Sequence, residues 1–259
     1  MIRQDTHLEI RLARNEQDLA AAQRLRYLVF IEELAGGGTF VDHEQRLERD
    51  EFDTVFDHLI LVDTTRDQSS LDYVVGVYRM LTGDKAKAFG RFYSESEYDL
   101  TTLHNCDRSL LELGRSCLHP DYRGGTAMFK LWQGLAQYVA DHKIELLFGV
   151  ASFHGTEIGP IKNALSFLHH KYLAPPELRV RALQEHFHPM NLIDLDDIDR
   201  PQAMASIPAL IKAYLRLGGY VGEGAFIDHA FNTTDVFLLM DTAKMTAKQQ
   251  DLYTKGPRG

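Results

Sequence analysis

The sequence predicts an α/β (α+β) fold. Strand-like and helix-like hydrophobic patterns alternate along most of the chain. Residues 111–125, LELGRSCLHPDYRGG, read as a strand that runs into a Gly-containing turn and then a helix. A chain of 259 residues with 44% hydrophobic content can bury one large core, or one core with a substantial extension.

Taken in order, residues 7–13 alternate apolar and polar side chains, like a strand with one wet face. Asn15 and Asp18 have the spacing of a capping box, and Leu19, Ala22, Leu25, Val29 and Phe30 follow at helical spacing. Gly36-Gly37-Gly38 ends that helix. Residues 39–56 are charged and irregular, a loop of a length that tends to carry function. Residues 57–62 and 73–81 read as strands joined across a polar turn, and 109–118 as the next strand. Met128, Leu131, Trp132, Leu135, Tyr138 and Val139 form a helical stripe. Residues 146–152 read as a buried strand, and Ile161, Ala164, Leu165, Leu168 and Tyr172 as another helix. Pro175-Pro176 and the acidic run 194–199 mark an irregular connection before a late helix through Ile207, Leu210, Ile211, Tyr214 and Leu215. Strands follow at 220–227 and 235–240, and the polar end from about Ala243 is expected to fray. This order divides the chain into a core over 1–175 and a C-terminal extension over 176–259 that packs on it.

The formal charge of −9 argues against a general nucleic-acid binder, which needs clustered Lys and Arg. Cys106 and Cys117 are too few for a disulfide framework and point to a reducing setting. The first residues carry no signal-peptide pattern. No stretch approaches the roughly 20 apolar residues that span a bilayer. The expected location is cytoplasmic, with any membrane contact peripheral at the inner face.

Two blocks carry the chemistry. One is Glu48-x-Asp50-x-Phe52-Asp53. The other is the strand with Glu112 and Arg115, followed by Arg123-Gly124-Gly125. A Gly turn before a helix offers unpaired N–H groups and a positive dipole to a phosphate. A carboxylate and a guanidinium on the preceding strand can place acid–base chemistry beside it. These features predict a group-transfer enzyme with a phosphate-bearing donor.

The element order β-α-β-β-β-α-β-α resembles the GNAT acyltransferase superfamily, which implies a mixed central sheet flanked by helices. Arg123-Gly124-Gly125-Thr126-Ala127 is similar to that superfamily's donor-binding turn, although its glycines are adjacent and shifted, which weakens the case for coenzyme A. The ordered set Arg26-x-x-x-Phe30, Glu48-x-Asp50-x-Phe52-Asp53, Arg79-Met80-Leu81 and Glu112-x-x-Arg115 looks like the acyl-homoserine-lactone synthases. The chain lacks their Trp after the first helix and their Pro-Thr after the Arg-Leu-Leu motif, and its C-terminal half is longer. Seven pieces between about residues 24 and 240 resemble the ornithine-lipid acyltransferases better; LRYLVFIEEL, FYSESEYDL and LELGRSCLHPDYRGG are among them.

The resemblance implies transfer of a 3-hydroxyacyl chain from acyl carrier protein to the α-amino group of ornithine or a similar amino acid. Acylating an amine with a thioester requires a neutral amine, hence a base. Glu112 is the candidate, with burial expected to raise its basicity. A backbone N–H near Ser116 would meet the oxyanion, as the GNAT resemblance implies. Glu48, Asp50 and Asp53 suit the ammonium groups of ornithine, and Arg26, Arg79 or Arg115 its carboxylate. Phe30 completes the substrate-binding set; Arg123, Gly124 and Gly125 would hold the donor's phosphopantetheine. No metal and no separate cofactor are expected, because His186 and His188 have no further ligands at metal spacing.

Each motif also has a plainer reading. Glu112 and Arg115 can be a strand ion pair, the acidic loop a solvated face, Cys117 a small core residue, and His58 with Asp63 ordinary sheet residues. An acyl-homoserine-lactone synthase, another amino-acid N-acyltransferase and a non-catalytic acyl-carrier-binding module stay open as alternatives. A basic set of Arg123, Lys130, Lys162, Lys171, Arg179 and Arg181 is expected to face the acidic carrier. Residues 89–93 or the helix over 207–217 are expected to touch membrane.

Overall fold

The computed structural model describes residues 7–38 and 40–246. In chain order the principal elements are β1 (Leu8–Leu12), α1 (Glu16–Arg26), β2 (Asp57–Asp63), β3 (Val74–Thr82), α2 (Gly83–Phe89), β4 (Tyr98–Asp99), α3 (Thr101–His104), β5 (Leu110–Leu118), α4 (Ala127–Asp141), β6 (Leu146–His154), α5 (Lys162–Tyr172), β7 (Arg181–Ala182), β8 (Phe187–His188), α6 (Arg200–Ser206), α7 (Ala209–Arg216), β9 (Tyr220–Asp228) and β10 (Thr233–Asp241). The α/β class predicted from the sequence is the one observed: strands of a mixed sheet, flanked by helices. Residues 1–6 and 247–259 lie outside the described residues; the end expected to fray from about Ala243 begins in a 3-10 turn, Thr242–Lys244.

The chain forms two compact units that interleave in sequence. One runs through Phe89 and takes up Leu113–Lys143; the other takes Gly90–Glu112 and the described residues from Ile144 to 246. Residues 176–246 fall in the same unit as 90–112 and 144–175.

In the first unit β1, β2 and β3 pair antiparallel, and β5 follows β3. The Asn15 side chain accepts from the Asp18 N–H at 2.9 Å and caps α1. Ala21, Ala22, Leu25 and Val29 then pack with Ile60, Val62, Val74, Val77 and Cys117. Beyond Arg26 the helix widens into a π-helical stretch, Tyr27–Glu33, which the apolar spacing does not announce. α4 packs on β1, β2 and β3. Its Gly134 permits the approach: a Cβ there would lie 2.6 Å from Ile10 Cγ1 and 3.1 Å from Leu59 Cδ1.

In the second unit β5 pairs parallel with β6, with Glu112 opposite Phe148. β6, β10 and β9 continue antiparallel, and β9 carries the short strands β7 and β8. Phe148 stacks on Phe237 at 5.5 Å, and Tyr98 packs on Phe237 at 5.2 Å. Ile207, Ile211, Tyr214, Leu215 and Leu217 are buried, as is Phe92. The segments expected to touch membrane thus turn these apolar side chains into the core. Among the described residues no helix is long and apolar enough to cross a membrane.

Candidate active site

The acidic loop of the first unit closes around arginines. Asp50 caps the turn Glu51–Thr54 by accepting from Phe52 N–H at 3.0 Å. Phe52 anchors that turn in the core, with its ring 4.9 Å from Phe89 and 6.0 Å from Phe56. The apolar position of the E-x-D-x-F-D pattern is thereby explained: burying the ring sets the direction of the carboxylates around it.

Arg26, fully buried, donates to Glu48 through Nε and to Asp53 Oδ1 through Nη1 at 2.5 Å. Gln23 also donates to Asp53, at 2.9 Å. Arg79 Nη1 donates to both Asp50 oxygens at 2.7 Å and to Asp53 at 2.9 Å, and its guanidinium lies 4.6 Å over the Phe56 ring. Arg115 Nε reaches Glu48 at 3.2 Å, and its Nη2 lies 3.6 Å from Asp50. Arg115 also lies 6.0 Å over the Phe30 ring. Three guanidiniums thus face three carboxylates.

Burial by itself would raise the Glu48 carboxyl. The Arg26, Arg115 and Arg79 charges outweigh it and hold the group down at about 2. Asp53 is likewise buried, and Arg26 and Arg79 hold it well below the usual carboxylate range. His58 donates from Nε2 to the Asp53 carbonyl at 3.0 Å, because a carbonyl can only accept. Burial, with Arg26 nearby, lowers it to about 4 and keeps it neutral at ordinary pH. His58 and Asp63 both lie in β2, as the strand reading expects.

The six charged groups differ in access. The Arg26, Glu48, Asp53 and Arg79 side chains are 0–5% exposed; those of Arg115 and Asp50 are 13% and 14%. Asp50 also borders an open cavity of about 650 Å³ with Phe40, Asp42, Glu44, Arg49 and Glu51 on its wall.

Arg115 has φ +49° in the middle of β5. Non-glycine residues enter the left-handed region at about 1–2 kcal/mol. The next residue, Ser116, has a buried hydroxyl with no hydrogen-bond partner among the described residues. Cys117 is buried, which pushes its thiol up to about 12, so it is a core residue and no nucleophile.

Glu112 belongs to the second unit and is 1% exposed. Its Oε2 accepts from the Tyr93 N–H at 2.8 Å; its Oε1 accepts from the Ser94 N–H at 2.6 Å and the Ser94 hydroxyl at 2.5 Å. Sequence reasoning reached Glu112 but not this support. Two of the donors are backbone groups and leave no mark in side-chain identity.

The Gly turn of the first unit follows a 3-10 turn, Pro120–Tyr122, and Gly124 has φ +77° with open space where a Cβ would stand. Arg123 is engaged by Glu33 at 2.5 and 2.6 Å and donates to the Leu118 carbonyl. Tyr122 donates to Asp63 at 2.5 Å, which ties the turn to β2. Of the other basic residues, Lys130 donates to the Leu8 carbonyl, Arg179 to the Ala174 carbonyl, and Arg181 pairs with Glu223. Lys162 and Lys171 are exposed on α5. In the second unit Glu97, Asp228 and Asp235 place carboxylate oxygens within 4.8 Å of one another, an arrangement that could hold a cation.

The acetyltransferase (GNAT) domain family matches residues 25–133. An L-ornithine N(alpha)-acyltransferase of Rhodobacter capsulatus is 57% identical over 251 residues, covering 97% of this chain and 96% of its own. The chain belongs to the L-ornithine N(alpha)-acyltransferase family. Among solved structures, FeeM, an N-acyl amino acid synthase from uncultured soil microbes, matches with TM-score 0.54 at 10% identity over 94% of this chain and 97% of its own. The acyl-homoserine lactone synthase LasI matches with TM-score 0.51 at 14% identity over 96% and 95%. These two likenesses show that the family shares its fold with other N-acyl synthases. The GNAT fold, expected from the element order, and the likeness to acyl-homoserine-lactone synthases, expected from the motif order, are what the comparisons find.

Proposed function

We propose that this N-acyltransferase moves a 3-hydroxyacyl chain from acyl carrier protein to the α-amino group of ornithine, giving lyso-ornithine lipid, with Glu112 as the base. The family supports the acceptor. One observation carries the assignment of the base. The carboxylates of the acidic loop are counter-ions of arginines, and Glu48 and Asp53 are held as anions that take protons poorly. Glu112, on β5, is buried, and the Tyr93 and Ser94 N–H groups and the Ser94 hydroxyl hold its carboxylate in one place.

Ornithine arrives with its α-amine protonated near neutral pH. Glu112 takes a proton from that ammonium, and the freed electron pair attacks the thioester carbonyl. The C–N bond forms and the carbonyl oxygen becomes an oxyanion, met by a backbone N–H near Ser116. Collapse breaks the C–S bond; the attacking nitrogen, positively charged once the C–N bond has formed, gives up its second proton, and the departing phosphopantetheine thiolate takes it up. No metal or further cofactor enters these steps. Arg115, the most accessible of the three arginines, receives the ornithine carboxylate, and Asp50 an ammonium. Arg26, Glu48, Asp53 and Arg79 hold those two in place. Phe30, whose ring lies beside the Arg115 guanidinium, limits the directions in which it can point.

The donor phosphopantetheine is assigned to Arg123, Gly124 and Gly125. Their adjacent, shifted glycines favour carrier protein over coenzyme A. The product carries an acyl chain and must reach a bilayer, so peripheral membrane contact belongs to this reading. Mass spectrometry of lipids from cells expressing this chain alone tests the product. Accumulation of N-acyl-ornithine is expected; an acyl-homoserine lactone, or no new N-acyl product, would overturn the reading. Purified enzyme supplied with acyl carrier protein or coenzyme A thioesters decides the donor.

A further inference from the structure

Ser94 lies in the segment FYSESEYDL, which the sequence singles out without a role. It is 1% exposed and directs two donors at one oxygen of Glu112, while the preceding N–H holds the other oxygen. The turn that carries it, Tyr93–Ser96, is clamped from several sides. Glu95 accepts from the Phe92 N–H at 2.9 Å, and His104 is 3.0 Å from the same carboxylate oxygen. The Phe92 ring packs edge-on to Phe148 at 5.0 Å, and Phe148 is the residue opposite Glu112 in the parallel ladder. Ser96 donates back to the Tyr93 carbonyl at 2.8 Å. Tyr98, just beyond, donates to the Asp235 carbonyl at 2.9 Å. The turn is therefore rigid where it meets the carboxylate.

We propose that Ser94 is a positioning residue for the acyl transfer: its hydroxyl and N–H fix the carboxylate plane of Glu112. This rests on the reading of Glu112 as the base. A glutamate has three side-chain torsions, and each oxygen must stop moving before it can accept a proton from one defined nitrogen. The backbone N–H groups of Tyr93 and Ser94 survive substitution, so the hydroxyl's share can be removed alone. Charge-assisted hydrogen bonds of this kind are the strong ones, and loss of one corresponds to about a ten- to hundredfold change.

The test is a four-enzyme comparison of wild type, Ser94→Ala, Glu112→Gln and the double variant. kcat and both KM values are read alongside thermal unfolding. Ser94→Ala is expected to lower kcat about ten- to hundredfold with both KM values within about threefold, and to add nothing in the Glu112→Gln background. If Ser94→Ala does not fold, the isosteric pair Ser94→Thr and Ser94→Val carries the same comparison, with Thr the faster. Full kcat in Ser94→Ala while Glu112→Gln is inactive overturns the role of Ser94 and leaves the base standing. An equal further loss in the Glu112→Gln background marks a structural residue and also overturns it. Near-normal turnover in Glu112→Gln removes the base reading and this inference together.

Discussion

Arg115 Nε lies 3.2 Å from Glu48 Oε1, and Arg115 is the residue that holds β5 in a left-handed kink at φ +49°. The ion pair anchors the side chain of a backbone that is otherwise unfavourable, and Glu48 is almost completely buried. Removing the guanidinium leaves Glu48 with fewer counter-charges. Arg115→Ala is predicted to destabilise the protein by about 2–4 kcal/mol, toward the lower end of what breaking a buried pair does. It should also raise KM for the amino acid more than for the acyl donor. Arg115→Lys should not restore the acceptor KM, because an ammonium cannot reproduce the guanidinium fork. Denaturant titration and initial rates check both; an unchanged acceptor KM would detach Arg115 from the substrate.

Asp53 accepts from Arg26, Arg79 and Gln23, and Arg26 is fully buried. Asp53→Asn is predicted to lose about 3–5 kcal/mol, because it leaves a buried cation short of a counter-charge. Asp42→Asn, on the open cavity wall, should stay within about 0.5 kcal/mol. Equal stability of the two variants would contradict the network.

Acid sensitivity follows from the same groups. Glu48 is held at about 2 when folded, below the roughly 4.3 of a free glutamate. A folded value below the unfolded one gives stability that is present above about pH 4 and is lost as pH falls toward about 2. The thermal midpoint should fall below about pH 4, and the Glu48→Gln variant, though less stable at neutral pH, should fall less steeply. Parallel curves would show that Glu48 is not a source of the acid loss.

Gly134 in α4 tests the close approach of helix to sheet. Alanine would favour the helix by about 1 kcal/mol. Its Cβ would meet Ile10 Cγ1 at 2.6 Å, and overpacking typically removes about 1–3 kcal/mol. The clash should win, so Gly134→Ala is predicted to lower the unfolding midpoint; a rise would mean that α4 shifts freely.

Much of this was legible in the sequence because the physics involved is local. The Asn15 cap, the alternation over β1, the stripe of α4 and the Gly turn after β5 each depend on neighbours within a few residues. The motifs of the acidic loop were legible as motifs, but the alliance of Glu48, Asp50 and Asp53 with the arginines was not. Arg26, Arg79 and Arg115 are far apart in sequence, and only the paired strands and α1 bring them to one place. The support of Glu112 was hidden for another reason, since the N–H groups of Tyr93 and Ser94 exist at every non-proline residue. The π-helical turn at Tyr27–Glu33 was invisible because its apolar residues also satisfy ordinary helical spacing. The boundary between the units at 112/113 was not legible either, because no change of composition marks it.

The central claim is that Glu112 takes the proton from the attacking amine, and the turnover of Glu112→Gln as a function of pH tests it most directly. General-base assistance contributes about a hundred- to ten-thousandfold. The variant should therefore fold, bind donor normally and lose turnover by that factor near neutral pH, then recover part of it as rising pH supplies neutral amine. Near-normal turnover, or a loss that stays constant as pH rises while Asp50→Asn or Asp53→Asn abolishes activity in a folded protein, would contradict it and move the base into the acidic loop.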